Sequence, residues 1–193
     1  MKIKFYTALF GNYDEIFPIE ESLKNKYEFI LYTDNKNLRA EGFKIKSIPK
    51  PSLNNSLSNR MIKFNPSKYA TNCDYAVYFD ANLGIKRGFV EFLENNINKL
   101  QDLNLFRHPI NSNVFEEIIL LKKLGRIPNQ KYEKAKYFIN SNNKKYNLDF
   151  LSENNIFVTK PKSKKIRVLF QDCIEKLSSV IGRDQIIFLD FGR

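Results

Sequence analysis

The sequence predicts an α/β fold, a sheet with helices packed on both of its faces. Short apolar runs rich in aromatic and β-branched residues alternate with stretches of helical periodicity, and polar residues collect directly after the runs. The first strand is expected at Ile3–Leu9, followed by Glu28–Thr33 and Phe43–Ile48, each built around Phe, Tyr, Ile or Leu. Ser56–Tyr69 carries the first helical period. Tyr75–Phe79, an unbroken Tyr-Ala-Val-Tyr-Phe, reads as a fully buried strand. Gly88–Leu100 is the next helix, Leu103–Phe106 the next strand, and Val114–Leu124 and Lys131–Ile139 two further helices. The polar stretch Asn140–Asn147 reads as a surface loop, Ile156–Thr159 as the last strand and Ser163–Ser179 as the last helix. In such sheets ligands bind just beyond the carboxyl ends of the strands. Candidate site residues therefore follow the strands: Thr7 to Asp14, Asp34, Asp80-Ala81-Asn82 and Arg107-His108.

The chain of 193 residues and 22.8 kDa is long enough for one domain with a sizeable core, expected to span residues 1–193. Aromatic residues make up 14%, which excludes a disordered chain. Two cysteines, Cys73 and Cys173, exclude a disulfide framework and a four-Cys zinc site. No apolar run reaches the roughly 18 residues needed to span a bilayer. The start, Met1-Lys2-Ile3-Lys4, has no signal-peptide core, so a soluble, cytoplasmic protein is expected. The chain ends at Asp190-Phe191-Gly192-Arg193, soon after an apolar run, which also suits one domain of a longer protein. The formal charge is +11, with 24 Lys and 23 Asn, so the charge reads either as a solvated lysine-rich face or as attraction to an anionic partner.

Three constellations have chemical potential. Tyr75–Phe79 ends in Asp80-Ala81-Asn82, a carboxylate, a small residue and an amide, able to hold Mg²⁺ or Mn²⁺ against a diphosphate. The same residues also read as a strand-end turn with an Asx hydrogen bond. Arg60 and Lys63 are three apart on one helix, a fork and a point charge suited to a pyrophosphate, or else solvent-exposed helix charge. Asp184, beside Gln185, precedes the apolar Ile186–Leu189, where it can accept sugar hydroxyls, act as a base or cap a helix. The single histidine, His108, follows a strand and is a candidate metal ligand, general base or acceptor contact, with Glu117 on the next helix near the same edge. No Gly-x-Gly-x-x-Gly and no Gly-Lys-Ser/Thr loop is present, which argues against dinucleotide enzymes and P-loop ATPases.

The order of these motifs is more specific than any one of them. Tyr6-Thr7-Ala8-Leu9-Phe10-Gly11-Asn12-Tyr13-Asp14, Tyr32-Thr33-Asp34, Asn59-Arg60 with Lys63, and Tyr78-Phe79-Asp80-Ala81-Asn82 are followed by four more. These are His108-Pro109, Phe115-Glu116-Glu117, Leu151-Ser152-Glu153-Asn154-Asn155-Ile156 and Arg183-Asp184-Gln185. The series resembles, over nearly the whole chain, a family of small glycosyltransferase-like domains found in plants, bacterial surface-polysaccharide clusters and some viruses. The resemblance implies a GT-A-like, Rossmann-like mixed sheet flanked by helices and a hexosyltransferase-class activity. A nucleotide-sugar donor, UDP-linked by expectation, and Mn²⁺ or Mg²⁺ come with it. Carried onto this chain, Thr7 and Tyr13 lie near the nucleoside and Asp34 near the base or ribose. Arg60 and Lys63 face the diphosphate, while Asp80, Ala81 and Asn82 stand where an Asp-x-Asp motif binds metal and donor. Gln185 contacts the transferred sugar, and Asp184 is the catalytic carboxylate. His108 is a third metal ligand or, with Glu117 and Asn155, faces a glycan or lipid-linked acceptor. Asn82 departs from the family pattern, since an amide in place of the second acid lowers affinity for a cation.

Two other readings share some of these features. A sugar nucleotidyltransferase uses the same strand-end acid and metal, but Gly11-Asn12-Tyr13 substitutes poorly for its Gly-rich phosphate loop. A nucleic-acid-binding module would explain the charge, yet most aromatics fall in strand cores, and no nucleic acid is expected. The local concentration Lys160-Pro161-Lys162-Ser163-Lys164-Lys165 with Arg167 is expected to give peripheral contact with anionic lipid that carries the acceptor.

Overall fold

The computed structural model describes residues 1–11, 14–142 and 151–179. Its strands are β1 (Ile3–Leu9), β2 (Glu28–Thr33), β3 (Lys44–Ser47), β4 (Tyr75–Phe79), β5 (Leu103–Arg107) and β6 (Ser152–Thr159). Among the described residues they form one sheet in the order β3-β2-β1-β4-β6-β5. Strands β1 to β4 pair in parallel, and β6 runs antiparallel to β4, which makes the sheet mixed. The helices are α1 (Glu21–Lys24), α2 (Asn55–Lys63), α3 (Pro66–Tyr69), α4 (Arg87–Asn95), α5 (Val114–Lys123), α6 (Asn129–Asn142) and α7 (Lys164–Ser179).

The chain divides into two compact units. The first holds Met1–Asn104 and Asn155–Gln171, and the second holds the described residues of 105–154 and 172–179. In the first unit the seven residues of β1 are all buried, as a central parallel strand covered on both faces requires. Phe5, Phe29, Phe43 and Phe79 share one face, with Phe5 stacked on Phe29 at 4.5 Å. Tyr27 meets Phe5 edge-on and gives its hydroxyl to Glu94, which ties α4 to that face. Alternation sends Tyr6, Tyr78 and Phe157 to the other face, where Phe64 and Phe170 close over them. The second unit has its own core of Val114, Ile118, Ala135, Ile139 and Leu151. Cys73 and Cys173 are both buried, and burial pushes the Cys73 thiol up to about 11. Among the described residues no helix is long and apolar enough to cross a membrane.

The structure departs from the expected elements at several places, among them Gly88–Leu100, where α4 stops at Asn95 and a 3-10 turn over Ile97–Lys99 follows. Ser56–Tyr69 is not one helix: it breaks at Asn65, which adopts φ −134° because Pro66 follows it, and Pro66 restarts the chain at the first position of α3. The single turn α1 gave no periodic signal at four residues. Strand β6 begins at Ser152, four positions before the apolar run, since Ser-Glu-Asn-Asn has little strand preference of its own and pairing in the sheet imposes it.

Candidate functional site

The carboxyl ends of β1, β2 and β4 lie side by side in the first unit, and α2 is docked across them. Asn54 caps α2 by accepting from Leu57 N at 3.0 Å, and Ser58 locks the preceding loop through Ser52. The inward face of the helix is Ser58, Asn59, Ile62 and Lys63. Asn59 Oδ1 accepts from Phe10 N at 3.1 Å, and Tyr6 Oη donates to the Lys63 carbonyl at 2.8 Å, so both ends of this face are fixed to β1.

Lys63 is not the solvent-exposed helix charge that an isolated sequence reading allows. It is 3% exposed, with Nζ 3.8 Å from Asp80 Oδ1 and over the rings of Tyr78 and Phe64. Asp80 follows β4 on the same face as Tyr78, whose hydroxyl donates to Oδ1 at 2.8 Å. Its backbone N–H donates to the Asn155 carbonyl at 2.7 Å, and its own carbonyl accepts from Leu83 N, closing a turn through Ala81 and the exposed Asn82. A buried ammonium thus faces a half-exposed carboxylate at the rim of the sheet.

Asp14 joins this group, and the sequence had marked it only as the end of the first loop. Its carboxyl is raised above the ordinary aspartate value of 3.8, first by burial and then by the negative charge of Asp80. The folded protein therefore holds this proton more tightly than the unfolded chain does, and ionising Asp14 costs stability. That cost is absent below 3.8 and complete above the raised folded value. Asp14→Asn is expected to melt higher than the parent at pH 7 and to lose that advantage at pH 3, as thermal denaturation at the two pH values checks.

Gly11 gives the β1 loop its shape. Its φ is +93°, and a Cβ there would lie 2.0 Å from Asn55 Nδ2. Asn55 Oδ1 in turn accepts from Lys50 Nζ, which lies 3.7 Å from Asp34 Oδ2. Gly11→Ala is expected to cost about 1–2 kcal/mol in denaturant unfolding, because the left-handed backbone is strained for alanine even after the Asn55 side chain turns away.

The structure thus brings Lys63, Asp80 and Asp14 together, with Asn155 against Asp80 through its backbone. Arg60, one turn back on α2, is half-buried and donates to Ser56 Oγ. Two residues do not join them. Thr7 is fully buried within β1 on the opposite face from Lys63, so it does not line the rim. Ala81 packs its methyl against Leu9 and Leu31 in the core. Tyr13, Asp184 and Gln185 lie outside the described residues.

The second unit carries a separate polar group. His108 Nδ1 accepts from the backbone N–H groups of Ile110 and Asn111, at 3.2 and 2.9 Å. The ring proton of the neutral imidazole must then sit on Nε2, which faces Glu153 at 3.8 Å and Glu117 at 4.0 Å. In this arrangement Nε2 is a donor aimed at the two carboxylates. Glu117 is nine-tenths buried and accepts from Asn111 Nδ2 at 2.6 Å. Asn155 belongs to the first unit, where its carbonyl accepts from the Asp80 N–H. Glu153 was missed because its polar context hid a strand. Among the described residues no cluster of three or more His, Cys, Asp or Glu side chains is arranged to hold a metal.

No family model matches the chain, and no curated protein does. Among solved structures it is similar to mouse xyloside xylosyltransferase 1 in its apo form, with a TM-score of 0.55 and 10% identity. The match covers 100% of this chain and 82% of that one. At this identity the likeness shows the fold: a mixed α/β sheet flanked by helices, shared with a glycosyltransferase.

Proposed function

We propose that the protein is a glycosyltransferase that moves a sugar from a nucleotide diphosphate, UDP by preference, to an acceptor hydroxyl on a glycan or lipid-linked glycan. One observation carries this reading: the buried Lys63 ammonium faces Asp80 at the carboxyl end of a central strand, in a sheet whose fold a known glycosyltransferase shares. Fold alone does not fix chemistry, so the residues have to supply it.

Glycosyl transfer develops positive charge at the anomeric carbon and negative charge on the departing diphosphate. Lys63 and Arg60 supply fixed positive charge for the diphosphate, and Lys63 does so from a desolvated position where it acts strongly. Asp80 and Asn82, with Asp14, would hold Mn²⁺ or Mg²⁺. Their oxygens suit a hard cation, and Asp80 and Asp14 are close enough for the charge of one to act on the other. When bound, the ion would neutralise diphosphate charge. Asp14 provides the second acid that Asn82 does not. Asp34 is assigned to the base or ribose, with Tyr13 beside the nucleoside and Gln185 on the donor sugar. Asp184 is assigned to the anomeric centre, where a carboxylate stabilises positive charge or takes the acceptor proton. His108 and Glu117, with Glu153, suit acceptor hydroxyls, since one donates and the carboxylates accept.

Calorimetric titration with UDP, GDP and CMP, each with and without Mn²⁺, tests the reading. Binding of UDP that strengthens with Mn²⁺ is expected. Binding of none of the three would overturn it.

A further inference from the structure

Lys160 to Arg167 follow β6, whose end at Thr159 pairs with Ala76 at the start of β4. The cluster therefore lies at the amino-terminal edge of the first unit's central strands. Asp80 lies at the other end of β4, about 16 Å away at ~3.3 Å per residue. Lys162, Lys2 and the exposed Asp74 all act electrostatically on the buried Cys73 thiol, and Asp74 accepts from Lys2 N, which brings Lys2 and one acid into the same patch.

Two members are spent internally. Lys160 reaches Asp102 at 3.5 Å and lies over the Tyr75 ring, while Ser163 Oγ donates to Asp102 at 2.7 Å. Lys162, Lys164, Lys165 and Arg167 remain exposed and form no ion pair among the described residues, and the first turn of α7 contains no acid. Lysines in the first turn of a helix oppose its dipole, so local helix stability does not account for them. Val168, 71% exposed, follows Lys164 and Lys165 by four and three positions and so shares their stripe on α7. Met1, beside Lys2, is also 71% exposed.

We infer that this edge docks the protein on an anionic membrane surface. Exposed cations with apolar side chains among them match an interface where lysines reach headgroups while Val168 and Met1 enter the acyl boundary. A nucleic-acid face would instead offer exposed aromatics for base stacking, and the patch presents none. The placement also revises the expected purpose of the cluster. Because Asp80 is at the opposite end of the strands, docking leaves its rim facing water and does not press it against lipid.

The test is sedimentation of the full chain with vesicles of phosphatidylcholine alone or mixed with phosphatidylglycerol at about three to one. The parent is expected to partition onto the mixed vesicles only and to be released by salt. The quadruple variant Lys162→Gln, Lys164→Gln, Lys165→Gln, Arg167→Gln is expected to lose on the order of a hundredfold or more in partitioning. A control, Lys123→Gln, Lys131→Gln, Lys134→Gln, Lys136→Gln, removes the same charge from exposed helix positions and is expected to lose less than about tenfold. Val168→Ser, at an exposed site, reads the apolar contribution without changing the charge and is expected to weaken partitioning several-fold. Equal losses in patch and control variants, no binding to mixed vesicles, or preference of the patch for single-stranded DNA over vesicles would each overturn the inference. No donor or acceptor enters this measurement, so its failure leaves the glycosyltransferase reading untouched.

Discussion

Asp80→Asn is expected to lower glycosyl transfer by at least about a hundredfold while the protein melts close to the parent temperature. The substitution keeps shape and removes charge. Asparagine Oδ1 still accepts from the Tyr78 hydroxyl, and the backbone bonds to Asn155 and Leu83 do not depend on the side chain. At 41% side-chain exposure Asp80 is not buried, so its pairing with Lys63 contributes at most about 1 kcal/mol to folding. The charge matters in another place. In the proposed reaction a donor diphosphate would bring negative oxygens to Lys63, and Asp80 would help hold a cation that offsets them. Without Asp80 the enhancement of UDP binding by Mn²⁺ is expected to vanish, and Asp14, relieved of a negative neighbour, is expected to titrate closer to 3.8. Rates with a donor sugar, UDP titrations with and without Mn²⁺, and a melt of the same sample together check this. Unchanged transfer would remove Asp80 from the site.

The strands of this sheet were legible because a buried parallel strand needs apolar residues at every position, and Ile3–Leu9 and Tyr75–Phe79 satisfy that almost without exception. Asp80 was legible for a related reason: a carboxylate that ends such a run marks the rim. What sequence order does not encode is the environment of a side chain. Lys63 looks like ordinary surface charge on an amphipathic helix until α2 is seen pinned to β1 through Asn59 and Tyr6. Asp14 reads as the tail of a loop until Asp80 is seen to act on its carboxyl. Thr7 shows the same gap between motif and environment. Its place in a distinctive motif suggested the ligand, while alternation along β1 buries it on the far face. The sequence marks His108 as a candidate, but its tautomer is chosen by hydrogen bonds from backbone groups two and three residues on.

Lys63→Met separates structure from function at the one buried cation of this group. Methionine has a straight chain of similar length, so it fills the space between Tyr78 and Phe64. Removing the ammonium forfeits its contacts with the two rings, worth about 1–2 kcal/mol when desolvated, and recovers a desolvation penalty of comparable size. Unfolding free energy is therefore expected to shift by less than about 1.5 kcal/mol in either direction. Lys63→Ala differs because it leaves a void beside Tyr78, and it is expected to cost about 2–4 kcal/mol. Both variants are expected to bind UDP about thirtyfold more weakly, the loss of one charged hydrogen bond at roughly 2 kcal/mol. If Lys63 served only to pack α2 against the sheet, affinity would track stability: alanine would fail and methionine would bind as the parent does. Equal weakening in a stable and a destabilised variant can come only from the lost charge, which is the role that a diphosphate at this rim requires.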